Sequence, residues 1–179
     1  MDRVRCPTCG DEHDISTIEP YFDRPDEYFE IPVEQRAQRV WNARELCVFW
    51  ETVDTARRHF MRAILPIPIR GEAQDYGWGI WVEVAEVDFA FTHDHWEDPA
   101  QAATAPFHGI LANALPDMTR TRGLAGTVHL TGPDTLPQFI LATDLDHPLV
   151  REQQGGVFAE RIIEWAARAA HSADRGPAA

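Results

Sequence analysis

Two prolines set two residues apart, Pro66 and Pro68, constrain the fold of this chain more than any other feature. They interrupt a run, 60–69, in which Met61, Ala63, Leu65, Ile67 and Ile69 alternate with other residues. That is the period of a strand with one buried face. In a strand the amides of residues i and i+2 point to the same edge. Two prolines leave that edge without donors, so the sequence predicts a sheet edge, or a strand end, near 66–68. Residues 70–75 read as a turn. Trp78, Ile80, Val82 and Val84 then alternate with Gly79, Trp81 and Glu83, which predicts a strand over 77–85. The two strands make a hairpin, and the small residues Gly77 and Gly79 allow another segment to approach closely.

Further elements follow from the same signals. Residues 46–50 are a short apolar run bounded by charge and read as a strand. Residues 127–131 and 138–143 flank Gly132-Pro133-Asp134 as a second hairpin. Pro32 opens a predicted helix in which Val33, Ala37, Val40 and Trp41 share one face. Residues 86–96 read as a short helix, and 107–115 as another, stopped by Pro116. Asp146-His147-Pro148 is a cap followed by proline at the first helical position, and that helix stops at Gly155-Gly156. A last helix over 157–171 places Phe158, Ile162, Trp165, Ala166 and Ala169 on one face. Antiparallel hairpins packed against helices indicate an α+β fold, and 179 residues fit a single domain. The expected organisation is a zinc-knuckle-like segment over 1–14, the α+β domain over 15–173 and a frayed tail over 174–179.

Composition excludes several chemistries. All 16 basic residues are Arg, so neither a Schiff-base lysine nor a Walker A loop is possible. Ser16 and Ser172 are the only serines, and no G-x-S-x-G elbow exists. Net charge is −13, divided as −5 over 1–46, −6 over 47–110 and −2 over 111–179. No third is basic, which disfavours nucleic acid and anionic membranes as partners. An acidic surface serves solubility and suits a basic partner, whose association it would speed. No segment approaches the roughly 20 apolar residues of a membrane helix. The opening Met-Asp-Arg-Val-Arg-Cys lacks the apolar region of a signal peptide. Three cysteines, two of them close together in sequence, do not form a disulfide framework, and the expected compartment is the cytoplasm.

The candidate sites are few. Cys6-Pro7-Thr8-Cys9-Gly10 has the geometry in which two thiolates grip one zinc ion. His13 can reach as a third ligand. Cys6, Cys9, His13 and Cys47 are the one zinc set that uses every cysteine; against it, Cys47 lies in an apolar run where a free cysteine is an ordinary core residue. A thioredoxin-type dithiol competes, but Pro20 and Pro25 interrupt the helix that should follow it. His93 and His95 would share a face on a strand and diverge on a helix. His129, beside Val128 and Leu130, reads as a surface residue. His147 reads as a cap or packing residue, with Asp144 and Asp146 beside it able to raise its pKa. Of the tryptophans, Trp41, Trp50, Trp78 and Trp165 read as core. Trp81 could floor a groove or pack under a helix.

Several pieces together are similar to one family. They are C-P-T-C-G-x-x-H at 6–13, Pro25 with Tyr28, Leu46-Cys47-Val48 and Ile67-Pro68-Ile69. Trp78-Gly79-Ile80-Trp81-Val82 and His147-Pro148-Leu149 with Glu152, Gln153 and Gly156 complete the set. Their order and spacing, from about residue 4 to 171, resemble the bacterial domain of unknown function 2199 family. The resemblance implies a recognisable domain and carries no catalytic residues with it. Phe107-His108-Gly109 departs from the aromatic-Phe-Gly-Trp/Phe stretch of similar proteins, which argues against a special role for His108.

Two functions fit these observations. One is a cytoplasmic, non-enzymatic binding or regulatory domain with a zinc-stabilised N-terminus and an unidentified protein or small-molecule partner. The other is a small metal-dependent hydrolase using His93, His95 or His147, which needs an open metal position in a cleft.

Overall fold

The structure, a computed structural model, describes residues 3–5, 10, 12–14, 20–52 and 54–173, with side chains for 10, 20–52 and 54–166. In chain order the elements are β1 (Arg3–Arg5), β2 (Glu12–Asp14), α1 (Asp26–Glu30), α2 (Val33–Arg39), β3 (Val40–Asn42), β4 (Leu46–Phe49), β5 (Arg58–Pro68) and β6 (Asp75–Val84). They continue with α3 (Glu86–Asp94), a short 3-10 turn (Pro99–Ala103), β7 (Phe107–Leu111), β8 (Ala125–His129), β9 (Gln138–Leu141), α4 (Pro148–Gly155) and α5 (Ala159–Ala173).

The β5–β6 hairpin is the spine, in register from His59↔Val84 to Pro68↔Asp75. Seven strands follow in the order β3-β4-β5-β6-β7-β8-β9. The last returns to the third: β9 meets β5 in parallel at Ile64↔Gln138, so β5 to β9 close into a small barrel. β3 and β4 extend beyond it as a flap on the first half of β5.

The proline pair explains how β5 can serve two neighbours. Its even-numbered amides face away from β6. Arg62 N donates to Glu45 O and Ile64 N to Pro137 O. At Pro66 and Pro68 there is no N–H to satisfy, and strand pairing on that edge gives way to α4 and the turn after it. Gln153 Nε2 donates to Pro66 O at 3.2 Å, and Val157 N donates to Pro68 O at 2.8 Å. The expected edge therefore lies where the prolines put it.

Each sheet face has its own core. The inner face holds Met61, Leu65, Ile67, Trp78, Ile80, Val82, Leu111, Val128 and Phe139, plugged by Leu149 of α4 and by Ile162 and Trp165 of α5. The outer face gathers Ile31, Cys47, Phe49, Phe60, Trp81 and Ala112 under the segment that contains α1. Tyr21 bridges Gly79, and a Cβ at Gly79 would lie 2.8 Å from Tyr21 Cβ, so the close approach foreseen at this glycine is made by residues 20–22. Asn113 fastens the same segment: its Oδ1 accepts from Trp81 N, and its Nδ2 donates to Arg24 O and Asp26 Oδ1.

Three expectations are corrected. Residues 107–111 are a strand, not a helix, because β6 and β8 pair with them on either side and override a local apolar run that suits both. The face of Val33, Ala37, Val40 and Trp41 does not exist. α2 ends at Arg39 and buries no residue, and Val40 and Trp41 belong to β3, where pairing to β4 captures them. Phe158 precedes α5 and is exposed, with the Arg70 guanidinium 4.8 Å from its ring centroid; Ile162, Trp165 and Ala166 are buried as expected. The knuckle residues Cys6 and Cys9 lie outside the described residues, as does the tail from 174.

Candidate functional site

The flap and α3 enclose a cleft. Trp41, Val48 and His59 are cross-strand neighbours, Trp41↔Val48 and Val48↔His59, so they form a row on one sheet face. α3 crosses that row with Phe89 and His93, four residues apart and hence on one side of the helix. Between them is a cavity of about 410 Å³, open to solvent, which Trp50, Arg57, Glu86, Ala90 and Asp94 also line. This volume falls within the range of small-ligand sites.

Aromatic rings shape the cleft. Trp41 packs edge-on to Phe89 and His93, with centroids 6.2 and 6.1 Å apart. The His59 ring lies 5.0 Å from Phe89, and Arg57 places its guanidinium 5.5 Å from the centroid of Trp50. Trp41 is 41% exposed, so the reading of it as a core residue is corrected. It belongs to the outermost strand of the flap, and among the described residues α3 covers it only in part.

His59 is the unusual member. Only 7% of the residue is exposed, yet its ring finds no hydrogen-bond partner among the described residues. Burial pushes its pKa below the ordinary imidazole value; Glu86 opposes the shift, Arg57 adds to it, and Glu83 opposes it. Facing the open cleft, the ring is available to whatever enters it. Sequence analysis passed over His59, although the signal was there. The alternation of Met61, Ala63, Leu65 and Ile67, carried one step back, puts residue 59 on the buried face.

The histidines singled out from sequence are not brought together. His93 Nδ1 lies 3.0 Å from Asp94 Oδ1. His95 stacks on Phe91 and pairs its Nδ1 with Phe91 O. His147 caps α4: its Nδ1 accepts from Leu149 N, which leaves Nε2 to donate to Thr119 O at 2.8 Å. His129 Nε2 pairs with Thr127 Oγ1, and His108 is exposed on β7. Among the described residues no three His, Cys, Asp or Glu side chains are grouped to hold a metal ion. Trp81 floors no groove; it is fully buried, with Nε1 donating to Phe22 O at 2.9 Å.

Of the four expected zinc ligands, Cys6 and Cys9 lie outside the described residues. His13 is described only by its backbone, paired with Val4 across β1 and β2. Cys47 sits in the outer-face core, fully buried among Phe49, Phe60 and Trp81, and burial pushes its thiol pKa far up.

Barrel, flap and cleft together define a small α+β domain with an aromatic-walled ligand-sized site. The chain belongs to the family described as "Uncharacterized protein conserved in bacteria (DUF2199)", whose model matches residues 5–157. No curated protein and no solved structure matches it.

Proposed function

We propose that the protein is a non-enzymatic binding or regulatory domain whose ligand enters the cleft between Trp41, His59 and Phe89. The observation that carries this reading is the cavity of about 410 Å³ with His59 in its wall, a largely buried residue whose ring has no hydrogen-bond partner among the described residues. Small-ligand sites combine apolar walls with a few polar groups that fix orientation, and His59 supplies such a group here. A metal-dependent hydrolase using His93, His95 or His147 has no comparable support, since each of those rings is engaged separately. The N-terminal segment fits the same proposal as a zinc clip held by Cys6, Cys9 and His13; Cys47 is the least apt of the four ligands. An acidic chain that works away from nucleic acid and membranes, in a reducing cytoplasm, completes the reading. Among the described residues no helix is long and apolar enough to cross a membrane.

Indole is a suitable probe, being flat and apolar with one N–H to offer the imidazole. In an NMR titration at millimolar indole, the Trp41 and Trp50 side-chain N–H signals are expected to move. Those of the buried Trp78 and Trp165 are expected to stay. His59→Phe is expected to abolish the shifts. Unmoved Trp41 and Trp50 signals, or equal movement of all six tryptophans, would contradict the proposal.

A further inference from the structure

We propose that the cleft recognises a guanidinium group, stacked against Trp41 and hydrogen-bonded to His59. This deepens the reading of the cleft as the binding site and rests on it. Three observations converge. The first is charge: apart from its imidazoles, the lining carries two carboxylates, Glu86 and Asp94, against the single cation Arg57. One further cation balances it, in a chain whose net charge is −13. The second is the company Arg57 already keeps. Its guanidinium lies over Trp50, the arrangement in which a flat cation is attracted to the negative face of an indole. Trp41, on the same cleft and 41% exposed, has no such cation among the described residues. The third is His59. A neutral imidazole has one unprotonated nitrogen that can only accept, and a guanidinium has five N–H donors and no acceptor. An anion would add charge of the wrong sign beside Glu86 and Asp94.

The test compares N-acetylarginine amide with N-acetylcitrulline amide, which keeps the shape and loses the charge. Both are titrated into the full-length protein and followed by the Trp41 and Trp50 indole signals. The arginine compound is expected to bind about tenfold more tightly, the scale of a partly desolvated cation over tryptophan. In Glu86→Gln/Asp94→Asn the ratio is expected to fall toward one. Both side chains are exposed on α3, so this variant is expected to fold, and circular dichroism checks that it does. Equal binding of the two compounds by the wild type, or a ratio unchanged in the double variant, would overturn the guanidinium assignment. If indole still binds in that case, the cleft remains the binding site. If neither amide nor indole shifts Trp41, both readings fall. Ethylguanidinium and a capped Ala-Arg-Ala peptide separate the sources of the group. Equal affinity points to a free guanidino compound, and a tighter peptide to an arginine of a protein partner; either result retains the guanidinium.

Discussion

Burial disfavours the protonated His59 imidazole, and that ties the stability of the fold to pH. Its folded pKa lies below the ordinary value of about 6.5. As pH falls past that value, the unfolded chain takes up the proton first, so the native state loses stability until the folded pKa is reached. Above about pH 6.5 both states are neutral and the group contributes nothing. The charged groups lining the cleft with the ring are Glu86 and Asp94 of α3 and Arg57, with His93 beside them, and Glu83 acts from the other face of β6. Urea unfolding of wild type and His59→Phe, between neutral pH and about pH 5, is expected to show a steeper acid loss in the wild type. Parallel curves would contradict it. At this scale the sequence was half legible. The alternation through Met61 and Ala63 points straight at His59. Nothing local marks Trp41 as a cleft residue, because its exposure depends on β3 being the last strand of the flap.

Among elements, α4 does more than cover the barrel mouth. Gln153 Oε1 accepts from Leu141 N, and its Nε2 donates to Pro66 O and Phe139 O, so one side chain joins β5 and β9 where backbone pairing lapses. Gln153→Leu would leave three buried backbone groups unpaired. It is expected to cost about 3 kcal/mol in urea unfolding, while the exposed neighbour Gln154→Leu is expected to change stability by less than about 0.5 kcal/mol. A loss at Gln153 no larger than at Gln154 would contradict this role. The β5–β6 hairpin, the proline edge and the His147-Pro148 helix start could all be read from sequence, because local chemistry decides them. β7 could not, because Phe107–Leu111 becomes a strand only between β6 and β8. Closure of the barrel was equally hidden: Ile64 and Gln138 lie more than seventy residues apart, and no local pattern pairs them.

At the scale of the whole molecule, the outer face is sealed by the segment with α1. Arg58 binds Glu83 and Glu27, and Arg122 binds Glu27 and Glu30, so α1 is clamped to the sheet by a shared ion-pair network. Cys47 lies beneath that seal, which bears on the zinc. Native mass spectrometry is expected to find one zinc ion per chain, lost in Cys6→Ser and kept in Cys47→Ala. Loss in both variants would draw Cys47 out of the core and into the metal site. No zinc in the wild type would remove the clip from the account. The inner face ends at the cleft, where the flap diverges from the closed barrel and α3 spans the gap. The most direct measurement of the central claim is a crystal structure of the protein grown with indole. The account predicts indole between Trp41 and Phe89, with its N–H within hydrogen-bond distance of a His59 nitrogen. Indole bound only elsewhere, or a cleft filled by the protein's own side chains, would contradict it.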